Sequence, residues 1–394
     1  MHIAPHLAMR LLSRRGTALL RTSAVAALAA VALGVAALVV VVALMSGYAA
    51  ALRDGILSGA GHATALPLGV PAEPEVRAVL SRLKALQGVD EVGEVVFLPG
   101  LMLGEGGERA ELVQVKASTV VPSFVRLAGG TPTGPLAIAL GVGVARRLGA
   151  AAGTPVSLQL VVGGGSPRTL PARVAAVFRT GFAELDERWI VSRLSDLKAR
   201  VPDLPAGGIE IFLQDPDQAD RRSDALQAAC GARFLVTTWQ QANRNLFAAL
   251  RWQKISLAVV LSLVVGVGAF EVASALVVLV TEKRKEIGVI LALGGEPGLV
   301  RRTLLVAGCA LGGLGVLCGL AFGVVLAVVL NALGVPKFPP EIAGIYLVDR
   351  IPFLVRPAEL LLVMVLGLLE VFVVSLVPAV RTAARQPVEV LRWV

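Results

Sequence analysis

The sequence predicts a membrane α-helical protein with four transmembrane helices and a large α+β extracytoplasmic domain inserted between helices 1 and 2. Three observations lead there. The 394 residues are 56% hydrophobic and 16% charged, with mean hydropathy +0.77; this is too apolar for a soluble chain and too charged for one wholly in lipid. Four stretches, Ala24–Met45, Ile255–Val280, Thr303–Leu330 and Leu360–Val380, each supply the roughly 20 apolar residues that cross a bilayer as a helix. Between the first and second, strand and helix patterns alternate.

The elements follow in order. Residues 1–23 carry Arg10, Arg14, Arg15 and Arg21 with no acid against them. The span 24–45 has an apolar run longer than the roughly 7–15 residues of a signal peptide, and no convincing cleavage pattern follows, so it reads as a retained anchor. Residues 46–254 form the outer domain. "HATALPLGV" reads as a strand, "PEVRAVLSRLKALQ" as an amphipathic helix and "VDEVGEVVFLPGLML" as a strand; "GIEIFLQD", "DQADRRSDALQAAC" and "ARFLVTTW" repeat strand, helix, strand. The β-rich stretch they bracket, about 118–206, is expected to be an inserted subdomain. "TTWQQANRNLFAALRWQK" starts a helix, with Thr238 as its cap, that leads as a stalk into span 255–280.

A charged helix over 281–302 joins the second and third spans, and the third runs 303–330. A loop 331–359, a fourth span 360–380 and a tail 381–394 complete the chain. The charged segment holds Lys283, Arg284, Lys285, Arg301 and Arg302, and the tail holds Arg381, Arg385 and Arg392; loop 331–359 balances its bases with acids. The positive-inside rule therefore puts both termini and the charged helix in the cytoplasm.

Chemistry of its own is hard to find. No phosphate-binding GxxxxGK[ST] stretch, GxSxG elbow or HExxH is present, and His2, His6 and His62 lack metal-ligand spacing, so no catalytic residue, metal or cofactor is expected. Net charge +9 without a basic stripe interleaved with aromatics reads as membrane topology rather than nucleic-acid binding. Cys230, Cys309 and Cys318 imply no disulfide framework. Glu184, Asp186 and Glu187 in "FAELDERW" read as a solvated loop.

Within the spans, Gly308, Gly312, Gly315, Gly319 and Gly323 recur at spacings of three and four, on one helix face. Such small residues let helices approach closely, either as static packing or as a moving contact. Glu271 and Glu370 are carboxylates inside apolar spans, each roughly 15 Å from the cytosolic boundary. A group that costs at least about 2.5–3.5 kcal/mol to leave charged in lipid should face protein or water. The two read either as hydrogen-bonded across helices or as part of a substrate or gating cavity.

The layout and several motifs resemble the FtsX/MacB-type ABC transporter permeases. "VLVTEKRKEIGVILALGGEPGLVRRTLLVAGCALGGLGVLCGLAFG" is similar to that family's cytosolic helix and glycine-rich third span. Within it the LolC/LolE group of lipoprotein-releasing permeases is nearest. "ALGVAALVVVVALMSGYAAALRDGILSGAGHATA" resembles their first span, "TTWQQANRNLFAALRWQK" their stalk and "VPAVRTAARQPVEVLRWV" their C-terminal ending.

The resemblance implies a permease subunit of an ATP-driven complex in the cell inner membrane, without enzyme activity. ATP would be bound by a separate cytosolic ABC ATPase dimer. Glu282, Lys283, Arg284, Lys285 and Glu286 would meet the ATPase, and Gly294 would end their helix. A second permease subunit, the same or a homologous chain, would complete a cavity that takes an acylated lipoprotein from the outer leaflet and passes it to a periplasmic carrier. Met45, Tyr48 and Phe270 are the candidate acyl-chain contacts. Two departures stand out. "LVVGGGSPRTLPARV" is shorter than the hairpin of carrier-recruiting permeases, and Glu271 and Glu370 are unusual for the family. MacB-like export of another substrate, or FtsX-like signalling to a periplasmic cell-wall hydrolase without transport, are the alternative functions.

Overall fold

The structure, a computed structural model, describes residues 18–122, 125, 134–162, 167–293, 296–335, 347, 348 and 350–383. Arg10, Arg14, Arg15, Gly294, Arg385 and Arg392 lie outside them. The chain divides into two compact units. One takes in the chain up to Tyr48, Ala249–Val335 and the chain from Pro352 on; the other is Ala49–Ala248 with Pro336–Ile351.

The second unit is built on one nine-stranded sheet. Its elements are β1 (Ala63–Pro67), α2 (Glu73–Lys84), β2 (Val89–Leu103), β3 (Ala110–Ser118), β4 (Leu136–Gly141), α3 (Val142–Leu148), β5 (Pro155–Leu160), β6 (Arg168–Phe178), α4 (Ala183–Arg188), β7 (Trp189–Arg193), α5 (Leu194–Lys198), β8 (Gly208–Leu213), α6 (Ser223–Cys230), β9 (Phe234–Thr238) and α7 (Trp239–Ala242). They follow α1 (Ala18–Gly59), whose last residues belong to this unit.

β1, β2, β8 and β9 form an antiparallel sheet in the order β2-β8-β1-β9, with α2 and α6 as crossovers. This is a split β-α-β arrangement. α2 shows why it forms: Pro74 near its start fits the free first turn, Glu73 and Glu75 face the positive end of its dipole, and Arg82 and Lys84 the negative end. Its Val79 and Leu83 pack with Leu226 and Cys230 of α6 on Ile209 and Ile211. Burial pushes the Cys230 thiol up to about 11, so it behaves as a small apolar group.

The remaining strands close on themselves. β2 pairs with β3, which continues through β7, β4, β6 and β5 back to β2, giving a six-stranded barrel. β2 belongs to both parts: Val89–Val95 pairs with β8, and Gly100–Leu103 pairs with β5. Gly100 sits where a Cβ would be 3.1 Å from Leu158 and Leu160, so the strand can pass close to β5. The barrel core therefore begins at Val96 instead of at 118 and runs to Val201. The expected boundary was late because a strand shared by two cores carries no break in its pattern.

"FAELDERW" is not a solvated loop. α4 forms there, with Phe182 and Leu185 buried against Gly55 and Gly59 of α1. Asp186 is buried, its carboxylate accepting from the Thr180 amide (2.7 Å), the Thr180 hydroxyl and the Gly181 amide. Glu187 pairs with Arg146 and Arg147. Only Glu184 of the three acids is exposed.

The first unit is helical. It contains α1 to Tyr48, α8 (Arg244–Glu282) from Ala249 on, α9 (Arg284–Ala292), α10 (Pro297–Leu333) and α11 (Pro357–Ala383). α1, α8, α10 and α11 are long and apolar enough to cross a membrane. Each overruns its apolar segment, because a helix started in a hydrophobic run continues until a breaker or a cap stops it. α10 starts at Pro297 rather than at 303, since Glu296 is extended and proline suits the first turn. The expected charged helix over 281–302 is thereby reduced to α9. α10 ends at Gly334, whose φ of 68° allows a left-handed cap.

Candidate functional site

α1 and α8 run antiparallel in a fixed register. Gly268 of α8 approaches the Ala30 carbonyl carbon, and Gly34 of α1 lies against Val265; a Cβ would come within 2.9 and 3.1 Å. Further along α1, the Ser46 hydroxyl accepts from Lys254 Nζ of α8 (2.7 Å). Ala27, Val31, Val35, Val265, Ala269 and Val272 are buried along this seam.

α10 completes the bundle through its glycines. Gly315, Gly319 and Gly323 press on α1 at Val31, Ala32, Val35, Ala36 and Val39. Gly308 and Gly312 instead meet Ser375 and Val371 of α11. All five occupy one arc of α10, yet the partner changes along its axis. Gly315, Gly319 and Gly323 meet backbone of α1 as well as side chains, whereas Gly308 and Gly312 meet side chains of α11; such close approach holds helices together where lipid offers no hydrophobic drive.

Met45, Tyr48 and Phe270 do not come together in this chain. Met45 and Tyr48 flank Ser46 and are half-buried, whereas Phe270 is 65% exposed. Lys254 is level with Ser46 and Phe270 lies 16 residues further along α8, about 24 Å away at 1.5 Å per residue. The α1–α8 pairing at Gly34 and Gly268 is closed between them.

Glu271 and Glu370 part company as well. Glu370 Oε1 accepts from the Ser262 hydroxyl of α8, and its Oε2 is buried with no hydrogen-bond partner among the described residues. Ser262 and Glu271 are nine residues apart on α8, half a revolution around the helix. Glu271 consequently faces away from Glu370 and is exposed.

α9 is fixed by Ile287, buried in a cluster with Leu279, Val300, Leu304 and Ala379. The charges named from the sequence differ in what they offer. Lys283 joins α8 to α9 and is held by Glu286 at 2.8 Å with its side chain only 11% exposed. Glu282 is half-buried, while Arg284, Lys285 and Glu286 are exposed. Val289 and Leu293, four residues apart in line with Lys285, are 58% and 83% exposed. These two apolar side chains were missed; their signal was an apolar i, i+4 pair just after a basic run.

Three more residues were missed at the other end of the bundle. Ser46 of α1 donates to Glu359 Oε2 of α11 at 2.7 Å, and Lys254 of α8 donates to Glu359 Oε1 at 2.6 Å. The available signal was one lysine and one glutamate at ends of apolar spans that the chain direction puts on the same side. No group of three or more potential ligand residues among those described is arranged to hold a metal.

The description of the FtsX-like permease C-terminal domain matches residues 257–387, which take in most of α8 and all of α9, α10 and α11 up to Ala383. The chain carries an FtsX-like permease domain. The whole chain is 27% identical over 390 residues to the lipoprotein-releasing system transmembrane protein LolC of Xylella fastidiosa strain 9a5c, covering 93% of each chain. It is 28% identical over 393 residues to LolC of Neisseria meningitidis serogroup B, again covering 93% of each. LolE of Haemophilus influenzae is 25% identical over 383 residues, covering 92% of each. The resemblance to the LolC and LolE permeases thus extends beyond the matched domain to the sheet-bearing unit, and with the four apolar helices it marks an inner-membrane protein.

Proposed function

We propose that this chain is the permease subunit of an ATP-driven ABC complex that extracts acylated lipoproteins from the outer leaflet of the inner membrane and hands them to a periplasmic carrier. The observation that carries this reading is the similarity to lipoprotein-releasing permeases over 93% of the chain, both units included. Its complex contains two permease subunits and two cytosolic ATPases, and ATP binds to the ATPases alone. The N-terminus, α9 and the C-terminus lie in the cytoplasm, on the strength of the arginines and lysines there.

In this mechanism the ATPase grips α9 at Lys285, Glu286 and Val289 and, just past its end, Leu293. α9 is a short lever: Ile287 beds it on α8, α10 and α11, so a push on it tilts those helices together. The acyl chains enter beside α1 and α8, and the second permease supplies the facing wall. The packed α1–α8 seam of one chain supports this division, because two facing chains leave room that one chain fills.

Depletion of the protein followed by fractionation of acylated lipoproteins tests the reading. Accumulation in the inner membrane is the expected result. Normal sorting accompanied by a cell-wall or drug-sensitivity defect would replace it with signalling or with export of another substrate.

A further inference from the structure

Where Ser46, Lys254 and Glu359 meet, the helical unit is held together in two different ways. α1 and the segment entering α11 touch through backbone. Gly47 is packed so closely on Pro352 that a Cβ would overlap the Pro352 carbonyl, and the Leu354 amide donates to the Ala43 carbonyl at 3.0 Å. Ser46, 3% exposed, adds its hydrogen bond to Glu359. α8 has no such backbone contact at this level among the described bonds. It is tied in by the Lys254 ammonium, which donates to both Ser46 and Glu359.

Beyond Lys254, α8 rests lightly. Ala258 and Leu261 are only partly buried against α1 and its neighbours, while Val259, Val260 and Leu263 are 57%, 58% and 69% exposed. A close backbone approach to α1 lies at Val265, opposite Gly34, 11 residues or about 16 Å further along. A helix segment so held is a door hinged at the Gly34–Val265 contact. Its outer end is fastened by an ion pair whose side chains are 29% and 20% exposed, within reach of water or a competing charge, while nearer the hinge Ser262 donates to Glu370 of α11.

We propose that Lys254, Glu359 and Ser46 form a latch that closes the outer end of the α1–α8 seam, and that lateral admission of acyl chains requires Lys254 to leave Glu359. This rests on the lipoprotein-release reading for what is admitted, but not for the latch itself. Freed from Lys254, the outer part of α8 swings away from α1 while α1 and α11 stay joined through Gly47 and Pro352. Arg356, 4.0 Å from Glu359 Oε1 and 54% exposed, remains to neutralise the carboxylate once the lysine has gone. The latch residues are positioning residues: they set the state of the helices and need not touch the substrate.

The test uses the full chain with its ATPase in nanodiscs, on a background with Cys230, Cys309 and Cys318 replaced by serine. Spin labels at Leu44→Cys and Trp252→Cys report the outer α1–α8 distance. The expected result is a longer, broader distance distribution for Lys254→Met and its return to the original in the exchanged pair Lys254→Glu/Glu359→Lys. An unchanged distribution in Lys254→Met overturns the latch, and so does an exchanged pair that folds and binds the ATPase yet stays open. A bismaleimide bridge between the same two cysteines should abolish lipoprotein release while ATP hydrolysis continues; release through the bridged seam also overturns the proposal. If the unmodified complex releases no lipoprotein, the functional reading falls and the distance measurement still decides the latch.

Discussion

Lys116 Nζ lies 2.8 Å from Glu210 Oε1, and both side chains are almost completely buried within the sheet-bearing unit. The ammonium also donates to the Gly59 carbonyl at 2.8 Å, and the same carboxylate oxygen accepts from the Gly61 amide at 3.1 Å. One ion pair thus binds β3, β8 and the end of α1. Burial pulls the lysine below its ordinary range, and Glu210 pulls it back toward the charged form. Glu210 Oε2 has no hydrogen-bond partner among the described residues, so the pair is held by one side of the carboxylate.

Removing one partner is expected to cost far more than removing both. Lys116→Met leaves a buried carboxylate alone and should destabilise the unit by about 3–5 kcal/mol, whereas Lys116→Met with Glu210→Leu should recover a large part of that loss. Denaturation of the purified chain, followed through tryptophan fluorescence, measures both. Equal losses in the single and double variants would mean that the pair acts through packing rather than through its charges.

His62 gives the same unit a response to acid. Its Nδ1 accepts from the Leu213 amide at 2.8 Å, and burial holds the imidazole below the usual 6.5. The folded form therefore binds its proton less readily than the unfolded form. Its contribution to stability is complete above pH 6.5 and is lost as the pH falls from there through the lower folded value. Amide exchange at Leu213, corrected for the intrinsic pH dependence of exchange, should lose protection on acidification through that window. His62→Gln, whose side-chain oxygen can still accept, should flatten the response; an identical pH profile in that variant would put the effect elsewhere.

The four long helices were legible because apolar run length alone identifies them, and "VDEVGEVVFLPGLML" was readable as one strand that is now β2. What β2 does was not legible. Its membership in both sheet and barrel depends on pairing with β8 at one end and β5 at the other, strands that begin only at Gly208 and Pro155, far outside any local pattern. α4 was misread because the burial of Phe182 and Leu185 is decided by Gly55 and Gly59, more than a hundred residues earlier. Ser46 and Lys254, 208 positions apart, show the same limit in the candidate site. Local pattern reports what a segment can be, and distant glycines and charges choose its partner.

Thr238 closes the start of the stalk with a capping box: its hydroxyl accepts from the Gln241 amide, and the Gln241 side chain accepts from the Thr238 amide. Thr238→Ala should cost about 1 kcal/mol, and Thr238→Ser should restore most of it. Thermal unfolding of the three proteins decides this. If serine fails to rescue, the threonine methyl in its buried position matters more than the cap.

The α10 glycines separate a structural contact from a tolerated one. A Cβ at Gly319 would lie 2.5 Å from the Ala32 carbonyl, which is backbone and cannot turn aside, whereas at Gly313 it would meet only the Leu368 side chain at 3.6 Å. Gly319→Ala should therefore force α1 and α10 apart and cost about 1–3 kcal/mol, while Gly313→Ala should be nearly neutral. Thermal stability in detergent compares them, and similar losses at both sites would show that helix flexibility, not close approach, is what glycine provides.

α9 should bind its ATPase through apolar contact as well as charge. Lys283 is already engaged with Glu286, so Lys283→Ala should chiefly loosen α9 itself and weaken association modestly. Val289 and Leu293 are exposed with Lys285 on the same line, and an exposed apolar pair bordered by charge is suited to a groove on a partner. Burying a leucine-sized side chain contributes about 1.5–3 kcal/mol. Leu293→Asp should accordingly lower ATPase affinity by at least roughly tenfold. Lys285→Ala should give a smaller, salt-sensitive loss, since an exposed charge pair is screened. Pull-down of the ATPase across a salt series distinguishes the two contributions. If Lys285→Ala proved the more damaging and Leu293→Asp left binding intact, the charged start of α9 would be the docking element and its apolar line would face lipid.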